Sequence, residues 1–199
     1  MISTSITMNN KEKLSEVFHN FLKMLKRRKL IDKIDTYNNK YLNSFINEKT
    51  VTFNKISIYA INSKISSVQN NSPLDEYLKN NIEIKKFVLI DKPTKRTVKQ
   101  IMNPKLYFNC EFFFLHEFLE DIPSKNFIPK HYLLTEEDKN ELSKNIDLNT
   151  LSRILKTDTM CRYYGAKIDD VLKIIRPNLT CGDSICYKIV IKGNIDKMF

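Results

Sequence analysis

The stretch from residue 158 to residue 192 constrains the fold more than any other part of the chain. Asp158 can cap a short helix over residues 159–164, and Gly165 can end that helix in the left-handed conformation that suits glycine. The run "VLKIIRP" then predicts a strand that stops at Pro177. After a turn at "NLTCGDS", the run "ICYKIVIK" predicts a second strand, so a helix-strand-turn-strand unit fits into fewer than 40 residues.

The second of these strands alternates two kinds of residue. One set of alternate positions is apolar and comprises Ile185, Tyr187, Ile189 and Ile191. Because successive side chains of a strand point to opposite sides of its sheet, the alternation predicts one buried face. Upstream, Thr135 followed by three acidic residues predicts a helix N-terminus, and residues 148–155 predict a further helical piece.

An amphipathic helix is predicted near the N-terminus. Its apolar residues recur at helical spacing and comprise Leu14, Val17, Phe18, Phe21, Leu22 and Leu25. Four cations follow, and they include Arg27 and Arg28. Cations at this position can interact favourably with the helix dipole, and they can also contact phosphate. The sequence leaves both interpretations open.

Three strands are predicted between this helix and residue 121. Residues 51–61 alternate, residues 87–91 form a short apolar run, and residues 110–119 form a longer one. A short helix is expected after Ser72, and Pro93 with its neighbours Lys95 and Arg96 predicts an exposed basic turn.

These elements predict two domains with a boundary near residue 125, where two prolines bracket a loop. Residues 1–125 are expected to form an α/β domain, with a mixed sheet flanked by helices. Residues 126–199 are expected to form a small α+β domain, with helices packed on a short mixed sheet.

The charge of the chain is basic and unevenly distributed. The formal net charge is +10, of which residues 1–126 carry +8 and residues 127–199 carry +2. A basic excess can reflect a polyanionic partner such as nucleic acid. The chain is also rich in lysine, asparagine and isoleucine, whose codons are AT-rich, so codon bias on a solvated surface is an equally good explanation.

Several classes of protein are not expected from the sequence. No apolar run approaches the ~18 residues that a membrane span needs, and the N-terminus lacks the pattern of a secretory signal. We therefore expect an intracellular protein without a membrane partner. The four cysteines, which include Cys181 and Cys186, do not have zinc-ligand spacing, so buried free thiols and no metal are expected.

The C-terminal part of the chain resembles a family of polymerase subunits. Residues 127–191 resemble the C-terminal domain of the fifth, jaw-forming subunit of eukaryotic RNA polymerases and its small archaeal counterpart. Four motifs occur in the family's order and spacing, namely Ile128-Pro129-Lys130-His131, Arg162-Tyr163-Tyr164-Gly165, Ile174-Ile175-Arg176-Pro177 and Tyr187-Lys188-Ile189-Val190. Ser152 and Thr159 stand where the family has proline, and residues 178–182 also depart from its pattern. A divergent member is therefore expected, such as one encoded by a large DNA virus.

The resemblance implies a role in assembly for the C-terminal domain. It implies a non-catalytic subunit that docks on the largest polymerase subunit, without cofactor or small-molecule substrate. The residues that the resemblance assigns to partner binding are Pro129, His131, Arg162, Tyr163, Tyr164, Gly165, Arg176 and Pro177. Tyrosine and arginine are common anchors of interfaces, although both tyrosines could instead pack the domain's own core.

The resemblance also implies that the N-terminal domain lies near DNA. Residues 1–125 resemble the eukaryotic jaw domain in layout only. The expected neighbours of downstream double-stranded DNA, through weak contacts, are Arg27, Arg28, Pro93, Lys95 and Arg96. The protein would act in the nucleus if it is cellular, or in a cytoplasmic viral factory or virion if it is viral.

Two alternatives from other classes remain open. A metal-dependent nuclease could use Asp75 with Glu83-Ile84-Lys85, because such sites combine two acids with a lysine. Glu137-Asp138-Lys139 repeats the Glu-x-Lys pattern, which shows how easily a lysine-rich chain produces it by chance. A free-standing basic nucleic-acid-binding protein would need aromatic residues interleaved with cations on an exposed face, whereas most aromatic residues here lie on apolar stripes.

Overall fold

The chain divides into two compact units, Met1–Glu120 and Asp121–Phe199. The computed structural model describes residues 9–81, 83–178 and 182–198. The turn predicted within "NLTCGDS" falls largely on residues 179–181, which lie, with Cys181, outside the described residues. The boundary predicted from the sequence follows residue 125.

Helix α1, Asn10–Arg27, confirms the predicted amphipathic helix. The Glu12 carboxylate accepts a hydrogen bond from the backbone N–H of Asn9 at 3.1 Å, which stabilises the first turn. All six predicted apolar residues of this helix are buried. Phe21 packs edge-on against Phe87 and Phe118, so the helix is held against the sheet by aromatic contacts.

The first unit contains a four-stranded mixed sheet with strand order β1-β2-β3-β4. Strand β2 is antiparallel to β1 and parallel to β3, and β3 is parallel to β4. The strands are β1 Thr50–Phe53, β2 Ile56–Ile65, β3 Lys85–Pro93 and β4 Cys110–Phe114. The further helices are α2 Ile34–Glu48, α3 Pro73–Lys79 and α4 Lys95–Ile101. This architecture confirms the predicted α/β class.

The single strand predicted over residues 51–61 is wrong. Asn54 and Lys55 adopt positive φ angles of 46° and 59°, so the chain reverses between β1 and β2. Two central residues with positive φ are what a two-residue hairpin of this hand requires. Lysine is uncommon at such a position, which is why the sequence pattern did not reveal the turn.

The prediction of an exposed basic turn at Pro93 is also wrong. Strand β3 continues through Pro93, which lies opposite Ile65 on β2, and Thr94 then caps helix α4. The pairing of β3 with β4 ends at Ile90, so Pro93 lies where only one neighbouring strand is present and its missing N–H is tolerated. Lys95 and Arg96 therefore lie in the first turn of a helix.

The third predicted strand is shorter than expected. Strand β4 ends at Phe114, and residues Leu115–Phe118 form one turn of 3₁₀ helix. The Glu117 carboxylate accepts a hydrogen bond from the backbone N–H of Phe114 at 3.0 Å, which favours the turn over further extension. The strand and the turn both contribute buried side chains, which explains why the apolar run of the sequence continues past Phe114.

Arg28 is part of the interior of the first unit. Its side chain is 4% exposed and donates to both carboxylate oxygens of Glu111, at 2.8 and 3.1 Å. The guanidinium carbon lies 5.6 and 5.8 Å from the ring centroids of Phe87 and Phe113. Lys85 binds the same Glu111 carboxylate at 2.7 Å. Arg28 therefore connects the end of α1 to strands β3 and β4.

The second unit contains a second four-stranded mixed sheet with strand order β5-β7-β8-β6. Strand β7 is antiparallel to β5 and β8, whereas β6 is parallel to β8. The strands are β5 Lys130–Leu133, β6 Ser152–Leu155, β7 Val171–Asn178 and β8 Gly182–Ile191. The helices are α5 Glu136–Ser143 and α6 Thr159–Tyr164. This arrangement confirms the predicted α+β class.

The helical piece predicted over residues 148–155 is wrong. One 3₁₀ turn at Leu148–Thr150 leads into strand β6, which pairs with the end of β8. Ile154 lies opposite Val190 and packs against the core of this unit. Pairing with a distant strand thus overrides the local helical pattern.

Three of the four cysteines lie among the described residues. Cys161 is buried, whereas Cys110 and Cys186 are only half-buried, and all three are free thiols. Burial raises the pKa of Cys161 to about 12 and that of Cys110 to about 11, so both remain protonated at neutral pH.

Among the described residues, no helix combines the length and the apolar character that a membrane crossing requires.

Replacing Arg28 by methionine is expected to lower the free energy of unfolding by about 2 kcal/mol, because the hydrogen bonds to a charged partner are lost. Urea denaturation followed by circular dichroism measures this change. Lys26→Met is the matched control, since Lys26 is exposed in the last turn of the same helix. Equal stability of the two variants would contradict the structural role of Arg28.

Candidate docking surface

Helix α6 forms as the sequence predicts. The Asp158 carboxylate accepts a hydrogen bond from the backbone N–H of Met160 at 2.8 Å, and Gly165 ends the helix with a φ of 70°. This short helix places Cys161 and Ala166 against one face of the second sheet. These two residues form one buried cluster with Leu172, Ile174 and Val190.

The register of the second sheet assigns each side chain to a face. Residues directly opposite each other on antiparallel strands point to the same side. Leu172 lies between Leu133 and Lys188 on the face that helix α6 covers. On the opposite face, Lys173 lies between Tyr132 and Tyr187, and Ile175 lies between Lys130 and Ile185. We call these last six residues the uncovered face.

The uncovered face exposes large side chains. Ile185 is 52% exposed and Tyr132 is 49% exposed, while Ile175 and Tyr187 are half-buried. The prediction of one buried face for β8 is wrong, because Val190 is the one buried residue of this strand and its other residues are half-buried or exposed. The buried residue Val190 belongs to the other alternate set, and the apolar set that includes Ile185 and Tyr187 faces away from α6. The most apolar alternation in this part of the chain is therefore on the exposed side.

A groove adjoins the uncovered face. Its volume is 610 Å³, and its walls come from strands β5, β7 and β8 and from helix α5. None of the residues of α5 is buried. The lining residues are Tyr132, Leu133, Leu134, Asp138, Glu141, Leu142, Asn145, Lys173, Ile175 and Tyr187. The second unit thus presents a concave surface on which apolar and aromatic side chains lie beside charged and amide groups.

In the predicted Arg-Tyr-Tyr-Gly motif, Tyr163 is buried and the other three residues are half-buried. Tyr163 is 4% exposed, and its ring packs edge-on against that of Tyr164, with 5.4 Å between the centroids. The Nε of Arg162 donates to the carbonyl oxygen of Thr157 at 3.3 Å. These contacts favour the interpretation in which the motif builds the core, and its contact with a partner stays a prediction.

The other predicted partner-binding residues lie on strands β5 and β7 or next to them. His131 is half-buried, and its Nδ1 lies 2.7 Å from the carbonyl oxygen of Pro129. Burial lowers the pKa of His131 below its usual value, so the ring is neutral at neutral pH. Arg176 and Pro177 are exposed, and they lie opposite Ser184 and Asp183 on β8. They continue the strand that carries Ile175.

The residues predicted to lie near DNA differ in exposure. Lys95 and Arg96 are exposed in the first turn of α4, and Pro93 is half-buried beside them. Arg27 is half-buried, and the guanidinium of Arg28 is held by Glu111. Lys95 and Arg96 are therefore the members of the predicted set that are best placed to meet a phosphate backbone.

Two of the residues considered for a nuclease site, Asp75 and Lys85, are engaged in other contacts. Asp75 is 1% exposed, and its carboxylate accepts hydrogen bonds from Lys79 at 2.7 Å, from the Tyr107 hydroxyl at 2.7 Å and from the backbone N–H of Asn71 at 2.9 Å. The bond from Lys79 is the main reason that the pKa of Asp75 is lowered. Lys85 is bound to Glu111. Within the described ranges, no group of three acidic, histidine or cysteine side chains could hold a metal ion.

Sequence reasoning missed the uncovered face because it assigned interface roles to motif residues. Tyr132, Lys173, Ile175 and Ile185 were outside the predicted partner-binding set. A usable signal was present in the run "VLKII", which has apolar residues at both odd and even positions. A strand with apolar side chains on both sides needs cover on both sides, and on the side away from α6 Ile185 remains 52% exposed.

Comparison with known proteins places these features in a family. Residues 120–190 match the family described as RNA polymerase Rpb5, C-terminal domain. Over 137 residues the chain is 30% identical to DNA-directed RNA polymerase subunit 5 of Acanthamoeba polyphaga mimivirus, which covers 68% of this chain and 65% of the viral protein. That match is longer than the second unit, so it also includes part of the first.

Cellular relatives match a shorter region. Over 92 residues, or 45% of this chain and 43% of the relative, the chain is 36% identical to subunit RPABC1 of RNA polymerases I, II and III of Caenorhabditis elegans. Over 75 residues it is 37% identical to subunit Rpo5 of Thermofilum pendens, with 37% of this chain and 94% of the archaeal protein covered. The chain thus matches less than two thirds of the length of the viral and nematode relatives but nearly all of the archaeal one. The chain belongs to the family of DNA-directed RNA polymerase subunit 5.

Proposed function

We propose that this protein is a non-catalytic subunit of a multisubunit DNA-directed RNA polymerase, and that residues 126–199 dock on the largest subunit. Membership of the subunit 5 family supports the assignment to a polymerase. The uncovered face of the second sheet is the observation that supports docking by this unit. The catalytic residues of such an enzyme would belong to its large subunits.

The physical argument for docking rests on what the uncovered face exposes. An antiparallel ladder that faces water usually carries polar side chains on that side. Here the face carries two tyrosines and two isoleucines, with Lys173 between the tyrosines and Lys130 beside Ile175. Interface cores are enriched in aromatic residues and depleted in charge. Burying these four side chains against a partner would remove apolar surface from water and so favour association.

The N-terminal unit is proposed to lie in the lower jaw near downstream DNA. Lys95 and Arg96 support this proposal because both are exposed and adjacent on α4. Such contacts would be weak and sensitive to salt. The protein would then act in the nucleus of a cell or, as the similarity to a viral subunit suggests, in the polymerase of a large DNA virus.

The proposal is tested by tagging the protein in its native source and identifying what copurifies with it. Recovery of two very large polymerase subunits in equal amounts is expected. Recovery of the protein alone, or with nucleic acid only, would contradict the proposal and would favour a free-standing DNA-binding protein.

Replacing Ile185 by serine is expected to weaken assembly into the polymerase roughly tenfold, because burial of a large aliphatic side chain contributes about 1.5–3 kcal/mol. The measurement is the amount of large subunit recovered with each tagged variant. Ile168→Ser is the control, since Ile168 is 47% exposed and lies outside the uncovered face. Similar recovery of the two variants would show that the face does not dock.

Reversing the charges of Lys95 and Arg96 to glutamate is expected to leave assembly intact but to shift the loss of transcription to lower salt concentration, because two phosphate contacts are removed. Transcription by the purified polymerase is measured across a salt series. Lys33 and Lys40, which are exposed at the start of α2 and within it, are reversed as the control pair. An unchanged salt profile would remove DNA contact from the role of α4.

A further inference from the structure

We infer that the groove beside helix α5 binds a polypeptide segment in which apolar side chains flank a lysine or arginine. The inference rests on the proposed function only for the identity of the partner, which would be a polymerase subunit. The chemistry of the segment follows from the groove itself.

The groove contains apolar side chains that can contact an apolar side chain of a partner. Leu142 and Ile175 contribute aliphatic surface, and Tyr132 and Tyr187 contribute rings. A volume of 610 Å³ falls within the range of ligand-binding pockets. The groove is therefore large enough for a short segment of chain.

The wall formed by α5 is acidic. This helix carries Glu136, Glu137, Asp138 and Glu141, and its one cation, Lys139, lies 4.0 Å from the Glu136 carboxylate. Asp138 and Glu141 are three residues apart, so they share one side of the helix, and both line the groove. The groove thus presents two carboxylates and one cation, Lys173, on a chain whose net charge is +10.

The carboxylates of Asp138 and Glu141 differ in their hydrogen bonding. Asp138 accepts hydrogen bonds from the hydroxyl and the backbone N–H of Thr135, at 2.9 and 3.3 Å, and so stabilises the start of α5. Neither Glu141 nor Lys173 has a side-chain hydrogen bond or ion pair with any described residue. Glu141 is therefore the acid that an incoming cation can reach without displacing another group.

The charge expected on the bound segment follows from the energetics of burial. A segment that fills the groove removes water from Glu141, and a charge that loses its water without gaining a partner is costly. A cationic side chain on the segment supplies that partner, and arginine can bind a carboxylate with two parallel hydrogen bonds. Nucleic acid does not fit this wall, because its phosphates would meet two carboxylates.

The inference is tested with the full chain and three fluorescent synthetic peptides of equal length. All three contain leucines, which alternate with arginine in the first, glutamate in the second and serine in the third. Fluorescence anisotropy is expected to show that the arginine peptide binds at least about tenfold more tightly than the other two. Non-specific attraction to a protein of charge +10 would favour the glutamate peptide, and a preference for that peptide would overturn the inference.

Matched variants locate the binding. Glu141→Lys is expected to abolish the preference for arginine, whereas Glu137→Lys is expected to keep it, because Glu137 lies on the same helix but does not line the groove. Ile175→Ser is expected to weaken binding of the arginine peptide, with Ile168→Ser as its control. Equal effects of the two lysine variants would overturn the inference, provided that circular dichroism shows both to be folded.

The outcomes separate this inference from the proposed function. Binding of the arginine peptide without recovery of polymerase subunits from the native source would support the groove chemistry and contradict the proposed function. Recovery of the subunits without peptide binding would support the proposed function and contradict the inference about the groove. A dimer in analytical ultracentrifugation that Glu141→Lys dissociates would assign the groove to a second copy of the chain and overturn the inference.

Discussion

The constraint on which the second unit depends is that its sheet is apolar on both sides. Strand β7 places Leu172 and Ile174 on the side that helix α6 covers and Ile175 on the other side, where Ile185 is directly opposite. Capping by Asp158 and the left-handed Gly165 fix α6 over the first side. Helix α5 borders the other side, where Val171 is buried but Ile185 remains 52% exposed. The same sequence therefore specifies both a folded core and a surface that remains to be covered.

Charge has a different role in each unit. In the first unit, Arg28 and Lys85 converge on Glu111, and Lys79 neutralises the buried Asp75, so several of the charges that suggested DNA binding or catalysis stabilise the fold. In the second unit, the acidic wall of α5 stands on a basic chain. Net charge alone would have suggested nucleic acid as the partner of every surface, whereas the position of individual charges distinguishes α4 from α5.

The sequence predicted elements whose signals are local. Helix α6 follows from Asp158 and Gly165, helix α5 from Thr135, and α1 from its apolar periodicity. The sequence did not predict elements that depend on pairing with a distant strand. Strand β6 forms by pairing with β8. Pro93 can remain in β3 because the pairing of β3 with β4 ends earlier. The turn at Asn54 and Lys55 was missed because a lysine with positive φ is uncommon. The uncovered face was missed because alternation along β8 shows that two faces differ without showing which one α6 covers.

The central claim is that the uncovered face is buried in an assembled polymerase. Hydroxyl-radical footprinting of the free protein and of the complex purified from its native source tests it directly, since exposed aromatic side chains are oxidised. The account predicts that Tyr132, which is 49% exposed in the chain alone, is strongly protected in the complex. Equal oxidation of Tyr132 in both states, within an intact complex, would contradict it.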